Sequence, residues 1–301
     1  MSVRNTSDLH DAACFGNVNK ALDVLNDPGI DVNDASLGAA HTPLQIAAMF
    51  GHDGVADLLL KHEDIEVNLA RRATGATPLF LAAQNGHDKV VELLLAKEDI
   101  QINKATEFGL TPLYIAAHNG HYRVVCLLLM SEGIQVNMPD SEGATPLLVA
   151  AQMGHERVVE VLVRQTGVLV NQPMTDGNTP LIWAALMGHD RVAEELLEHA
   201  DIRVNQESHD GSTALLHAAE KGHDKVLKLL LGKDGVQVNR ATNQGFTPLF
   251  MAAEERHGNI VEMLLRKEEI RAIKWNGWRP HRRARVPRRL PVGTGGPRTA
   301  I

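Results

Sequence analysis

At 301 residues the chain is long enough for two ordinary domains or for one long repetitive array. Hydrophobic residues at 44% and charged residues at 22% suit a folded chain; no apolar run reaches the roughly 18 residues of a membrane-spanning helix, and two cysteines, Cys14 and Cys126, exclude a disulfide framework and a four-thiolate zinc site. The net charge of −7 conceals a division: residues 274–301 hold eight Lys or Arg and no acid, which leaves 37 acidic against 22 basic side chains in residues 1–273.

The chain begins with a short polar stretch, residues 1–7, that lacks the apolar core of a signal peptide. With so few cysteines, a reducing cytoplasmic setting is expected. Leu9 to Leu25 reads as half of a helical unit, with Ala12-Ala13 and Gly16-Asn17 in slots that recur later. Its polar Asn17, Asn19, Lys20 and Asp23 suit a cap over about residues 8–33.

A single period then governs the chain. Thr42, Thr77, Thr111, Thr145, Thr179, Thr213 and Thr247 are spaced 35 and then five times 34 residues apart, each followed by Pro except Thr213, which Ala214 follows. His52, His87, His121, His155, His189 and His223 follow glycines at the same period, and Asn33, Asn68, Asn103, Asn137, Asn171, Asn205 and Asn239 repeat it. Within residues 103–137 a turn (Glu107 to Leu110) leads to Thr111-Pro112-Leu113, an apolar stretch to Ala117, Gly120-His121 and a second apolar stretch from Val124 to Leu129. Thr is suited to cap a helix and Pro to its first turn, because the amide that Pro lacks has no partner there. Glycine supplies the left-handed residue that ends the first helix. His121 and its equivalents open the second helix, often followed by an acid at that helix's positive end. The Ala pairs, such as Ala82-Ala83, allow close approach between first helices, and 4% aromatic content implies a core of small aliphatic side chains.

These motifs resemble those of ankyrin repeats over roughly residues 8–273. Tetratricopeptide repeats share the 34-residue period, but their Trp and Gly-x-x-Tyr pattern is absent while Gly-x-Thr-Pro-Leu and Val-Asn are present. The resemblance implies an all-α fold with short β-hairpin-like turns: a curved solenoid of helix-turn-helix units. Seven full repeats, starting near residues 34, 69, 104, 138, 172, 206 and 240, follow the half-repeat cap. The family commonly places His after Thr-Pro-Leu; here that slot holds Gln45, Phe80, Tyr114, Leu148, Ile182, Leu216 and Phe250, so apolar packing is expected to replace the Thr–His hydrogen bond.

Motifs of catalysis are missing from the sequence. It holds no phosphate-binding Gly-Lys-Ser/Thr loop, no His-Glu-x-x-His and no calcium loop. His118-x-x-His121 invites a metal reading, but the histidines of the Gly-His slot are explained by the repeat. No enzyme activity, metal or cofactor is expected.

What the resemblance implies instead is a partner polypeptide held on the concave face, by turn tips and by the exposed ends of the first helices. The expected contact residues are Phe108, Leu110, His118, Asn119, Gln152, Met153, Leu186, Met187, Glu220 and Lys221, apolar in the middle and acidic toward the C-terminal end. The expected protein is a monomeric cytoplasmic scaffold or adaptor that binds another protein and no membrane; the alternative is a nucleic-acid-associated or nuclear regulator acting through the basic C-terminal tail.

Residues 274–301 depart from the period: Gly277-Trp278-Arg279-Pro280 falls two residues short of an eighth Gly-x-Thr-Pro, and a basic, Pro-interrupted segment expected to be disordered follows. Three readings of it stand open: a nuclear-import or nucleic-acid-attracting segment, a segment that folds back on the acidic body, or a misjoined reading frame.

Overall fold

The computed structural model describes residues 3–36 and 41–267. The expected tail at 274–301 and part of the longer turn before Thr42 lie outside the described residues. The sixteen helices found there come in eight pairs. α1 (Val3–Phe15) and α2 (Val18–Leu25) make the half unit. Units one to three are α3 (Pro43–Phe50) and α4 (Asp53–Leu60), α5 (Pro78–Asn85) and α6 (Asp88–Leu95), and α7 (Pro112–His118) and α8 (Tyr122–Leu129). Units four and five are α9 (Pro146–Met153) and α10 (Glu156–Val163), then α11 (Pro180–Met187) and α12 (Asp190–Glu198). Units six and seven are α13 (Ala214–Lys221) and α14 (Asp224–Leu231), then α15 (Pro248–Glu254) and α16 (Gly258–Leu265). Helix α1 starts at Val3, inside the stretch set aside as a polar tail.

Each Thr of the Thr-Pro slot does the work assigned to it. Its hydroxyl accepts the backbone N–H three residues on, as in Thr111 with Tyr114 at 3.1 Å, and Thr213 does the same with Leu216 without a proline. The slot after Thr-Pro-Leu corrects the expectation of purely apolar replacement. Gln45 closes a capping box with Thr42, and the Tyr114 hydroxyl donates to Asp140 Oδ2 at 2.7 Å, linking the first helix to the next turn. At Phe80, Leu148, Ile182 and Leu216 burial does replace polarity.

Helices contact mainly their own partner and the equivalent helices of the adjacent units, first helix on first and second on second. The alanine pairs are fully buried, from Ala12-Ala13 to Ala218-Ala219, whereas the second helices bury Val and Leu. Small side chains let the first-helix row pack more closely than the second-helix row.

Three hydrogen-bond ladders join the units. At the turn tips, backbone amides reach back one unit: Glu107 to Thr74, Ser141 to Phe108, Thr175 to Glu142, His209 to Asp176 and Asn243 to Asp210. Along the far edge, the asparagines of the Val-Asn slot from Asn33 to Asn205 bridge forward, as when Asn103 donates to the Gly133 carbonyl at 2.8 Å and accepts from the Gln135 amide at 2.9 Å. The third ladder is made by the histidines. They occupy the N-cap position but make no side-chain cap bond; instead Nε2 donates to a carbonyl of the preceding unit, His121 to Gln84 at 2.9 Å and His223 to Leu186 at 3.1 Å. That bond places the Nε2 proton, since a carbonyl only accepts.

The glycine preceding each histidine receives the next unit's ring. Gly86 has φ +73°, and a Cβ there would lie 2.5 Å from His121 Nδ1. The slot thus excludes side chains twice, by backbone conformation and by the neighbour's imidazole.

Candidate partner-binding face

The expected contact residues fall in two sets: the turn tips, and the last residues of the first helices just before the glycine. The tip ladder places Thr74, Phe108, Glu142, Asp176 and Asp210 in register on consecutive units. Phe108 is 63% exposed, and Glu142, Asp176 and Asp210 are exposed beside it. On the helix ends, Met153 and Met187 are 44% and 48% exposed at equivalent positions of units four and five. Large apolar side chains held out in solvent on adjacent layers have no structural need that the fold explains.

The other expected contact residues divide. Leu110 is half-buried and packs on the core, so it offers only part of its surface. Leu186 is also half-buried, and its carbonyl accepts the His223 ring. His118 and Asn119 bond each other at 2.8 Å, and Asn119 Nδ2 donates to Gln84 of the preceding unit. The His118 carbonyl accepts His155, the Gln152 carbonyl accepts His189, and the Glu220 carbonyl accepts His257, so these residues serve the ladder through their backbones. His121 and His118 therefore have their rings engaged with protein groups rather than aimed at a common ion, and no group of three His, Cys, Asp or Glu side chains suited to a metal occurs among the described residues.

Two carboxylates toward the expected acidic end are held in their ionised form. Glu220 is half-buried, and burial alone would raise its pKa; Lys221 at 2.8 Å and His217 at 3.3 Å outweigh it and hold the carboxyl below its usual range. Asp210 follows the same pattern, with burial outweighed by hydrogen bonds from Ser208 and Ser212. The Tyr114 phenol is pushed well above its usual range by burial and by its bond to Asp140, so it stays a donor.

Two surface aromatics were not among the expected contacts. Phe15 is 78% and Phe50 48% exposed, and they occupy the same slot before glycine as Met153 and Met187. The period carried that signal: Phe15-Gly16 and Phe50-Gly51 align with Met153-Gly154. Between the two apolar pairs the slot holds Asn85 and Asn119.

The outer face is ionic. Arg123 meets Asp88 at 3.3 Å and Lys225 meets Asp190 at 3.1 Å across neighbouring units, while the Arg157 guanidinium lies 4.1 Å from the Tyr122 ring centre. The Lys225 hydrogen bond holds Asp190 below its usual range. Such exposed pairs contribute little to stability, on the order of 0–1 kcal/mol each.

Compared with known families, the chain matches ankyrin repeats, in stretches of three copies, over residues 9–106, 66–140, 113–208 and 193–274. A search of curated proteins returned no match. Among the described residues, no helix is long and apolar enough to cross a membrane.

Proposed function

The chain belongs to the ankyrin-repeat family, whose repeats are generally protein–protein interaction modules, and on that premise we propose a non-catalytic scaffold or adaptor that holds a partner polypeptide on the concave face. The partner lies along units three to six, with Phe108, Met153 and Met187 as apolar anchors and the acidic residues at their margin. One observation carries this reading: three large apolar side chains are exposed on three consecutive units, one at a turn tip and two at first-helix ends. Aromatic and Met side chains at the centre of a polar-rimmed patch are the composition of a protein interface. The cytoplasm is the proposed location. Affinity capture with the full chain as bait tests the reading, read against a Phe108→Glu/Met153→Glu/Met187→Glu variant. Because all three side chains are exposed, the variant is expected to keep its far-UV circular dichroism and lose specific partners by about tenfold or more, as hot-spot truncations do. Unchanged capture by a folded variant refutes the proposal.

A further inference from the structure

We propose that the basic C-terminal segment, residues 274–301, occupies this face in its own chain, lying along units three to six and competing with any outside partner. The proposal rests on the reading of that face as a partner-binding surface and adds the occupant.

Charge complementarity selects it. The tips of units three to six carry Glu107, Glu142, Asp176 and Asp210, all exposed, on layers whose continuity the tip ladder establishes. No Lys or Arg occurs in residues 105–110, 139–144, 173–178 or 207–212. The unit two tip has the opposite sign, with Arg71 and Arg72, which bounds a basic ligand on that side. The same run of units exposes the apolar Phe108, Met153 and Met187. The C-terminal segment mirrors both properties, with eight Lys or Arg, no acid, and the apolar Trp275, Trp278, Val286 and Leu290 among them.

Reach is ample. From the end of unit seven, Phe108 lies four layers away, about 32–40 Å at the usual helix spacing, which about 10–12 extended residues cover. Tethering raises the local concentration of such a segment to the order of millimolar, so a weak intrinsic affinity suffices for occupancy. Attraction between exposed charges is screened over about 8 Å at physiological salt, which makes the contact salt-sensitive.

The test uses the full chain with Trp278 or Leu290 replaced by photo-reactive p-benzoylphenylalanine, with cross-links mapped by mass spectrometry. The expected products join the segment to units three to six within one chain. Their yield falls by about tenfold in a Glu107→Lys/Glu142→Lys/Asp176→Asn variant, a few surface-strength charge contacts acting together. These side chains are exposed, and Asn keeps an acceptor for the turn; raising the salt in the unsubstituted chain is a second measurement that needs no variant. Cross-links that are absent, that join two chains, that fall on the second helices, or that ignore both charge and salt overturn the proposal. Should they be absent while partner capture still depends on Met153 and Met187, the occupant is wrong and the face stands; if capture is also indifferent, both fall.

Discussion

The seat that each glycine offers to the next unit's histidine makes a quantitative prediction. Replacing Gly86 by Ala forces an L-residue to φ +73°, which costs about 1–2 kcal/mol by itself. The new methyl would also lie 2.5 Å from Nδ1, 2.8 Å from Cε1 and 2.9 Å from Cγ of His121. The ring must move, straining the interface and weakening the 2.9 Å bond to the Gln84 carbonyl. Overpacking and a lost hydrogen bond add about 2–3 kcal/mol, for a total of about 3–5. Gly133 is the internal control: its φ is +78° but a Cβ there meets nothing within 4 Å, so Gly133→Ala should cost only the backbone part, about 1–2 kcal/mol. Urea denaturation of the full chain, followed by far-UV circular dichroism, measures both. A His121→Ala background should reduce the cost of Gly86→Ala to that of Gly133→Ala, with a coupling of about 2 kcal/mol in the cycle. Equal costs for the two glycines, or no relief on removing His121, would refute the reasoning.

Two further outcomes follow from the same ladders and from burial. Asn103→Ala removes both the donor to Gly133 and the acceptor of the Gln135 amide, and should lower stability by about 1–2 kcal/mol in the same urea assay, with faster amide exchange at Gln135. His41 is held below its ordinary pKa, first by burial and then by the nearby Arg71, with a Gln45 hydrogen bond opposing. The unfolded chain therefore takes up a proton below about pH 6.5 that the folded chain resists, so stability should decline as pH falls from about 7 to 5, and less so in His41→Gln. Equal pH slopes for the two chains, measured by urea midpoints, would show that His41 is not the source.

Much of this molecule was legible in one dimension. Helix starts, helix ends and unit count follow from Thr-Pro, Gly-His and Val-Asn, because capping and left-handed turns are local and each needs its residue type at its own position. The roles of His121 and Asn103 were not legible, although their positions were, since each bonds a group 30 to 37 residues away on another unit. The apolar slot before glycine was visible at Phe50, Met153 and Met187 and passed over at Phe15, whose exposure at the N-terminal end emerges only once the layers are assembled.

The sequence by itself thus determined the period, the pairing of helices and the acidic body with its basic end, all properties of composition or of contacts within a few residues. Tertiary structure alone decided which side chains stand in solvent. Leu110 and Phe108 are two residues apart and equally apolar, yet one packs on the core and the other points out. The difference lies in the stacking of neighbouring units, which covers one position and leaves the next bare.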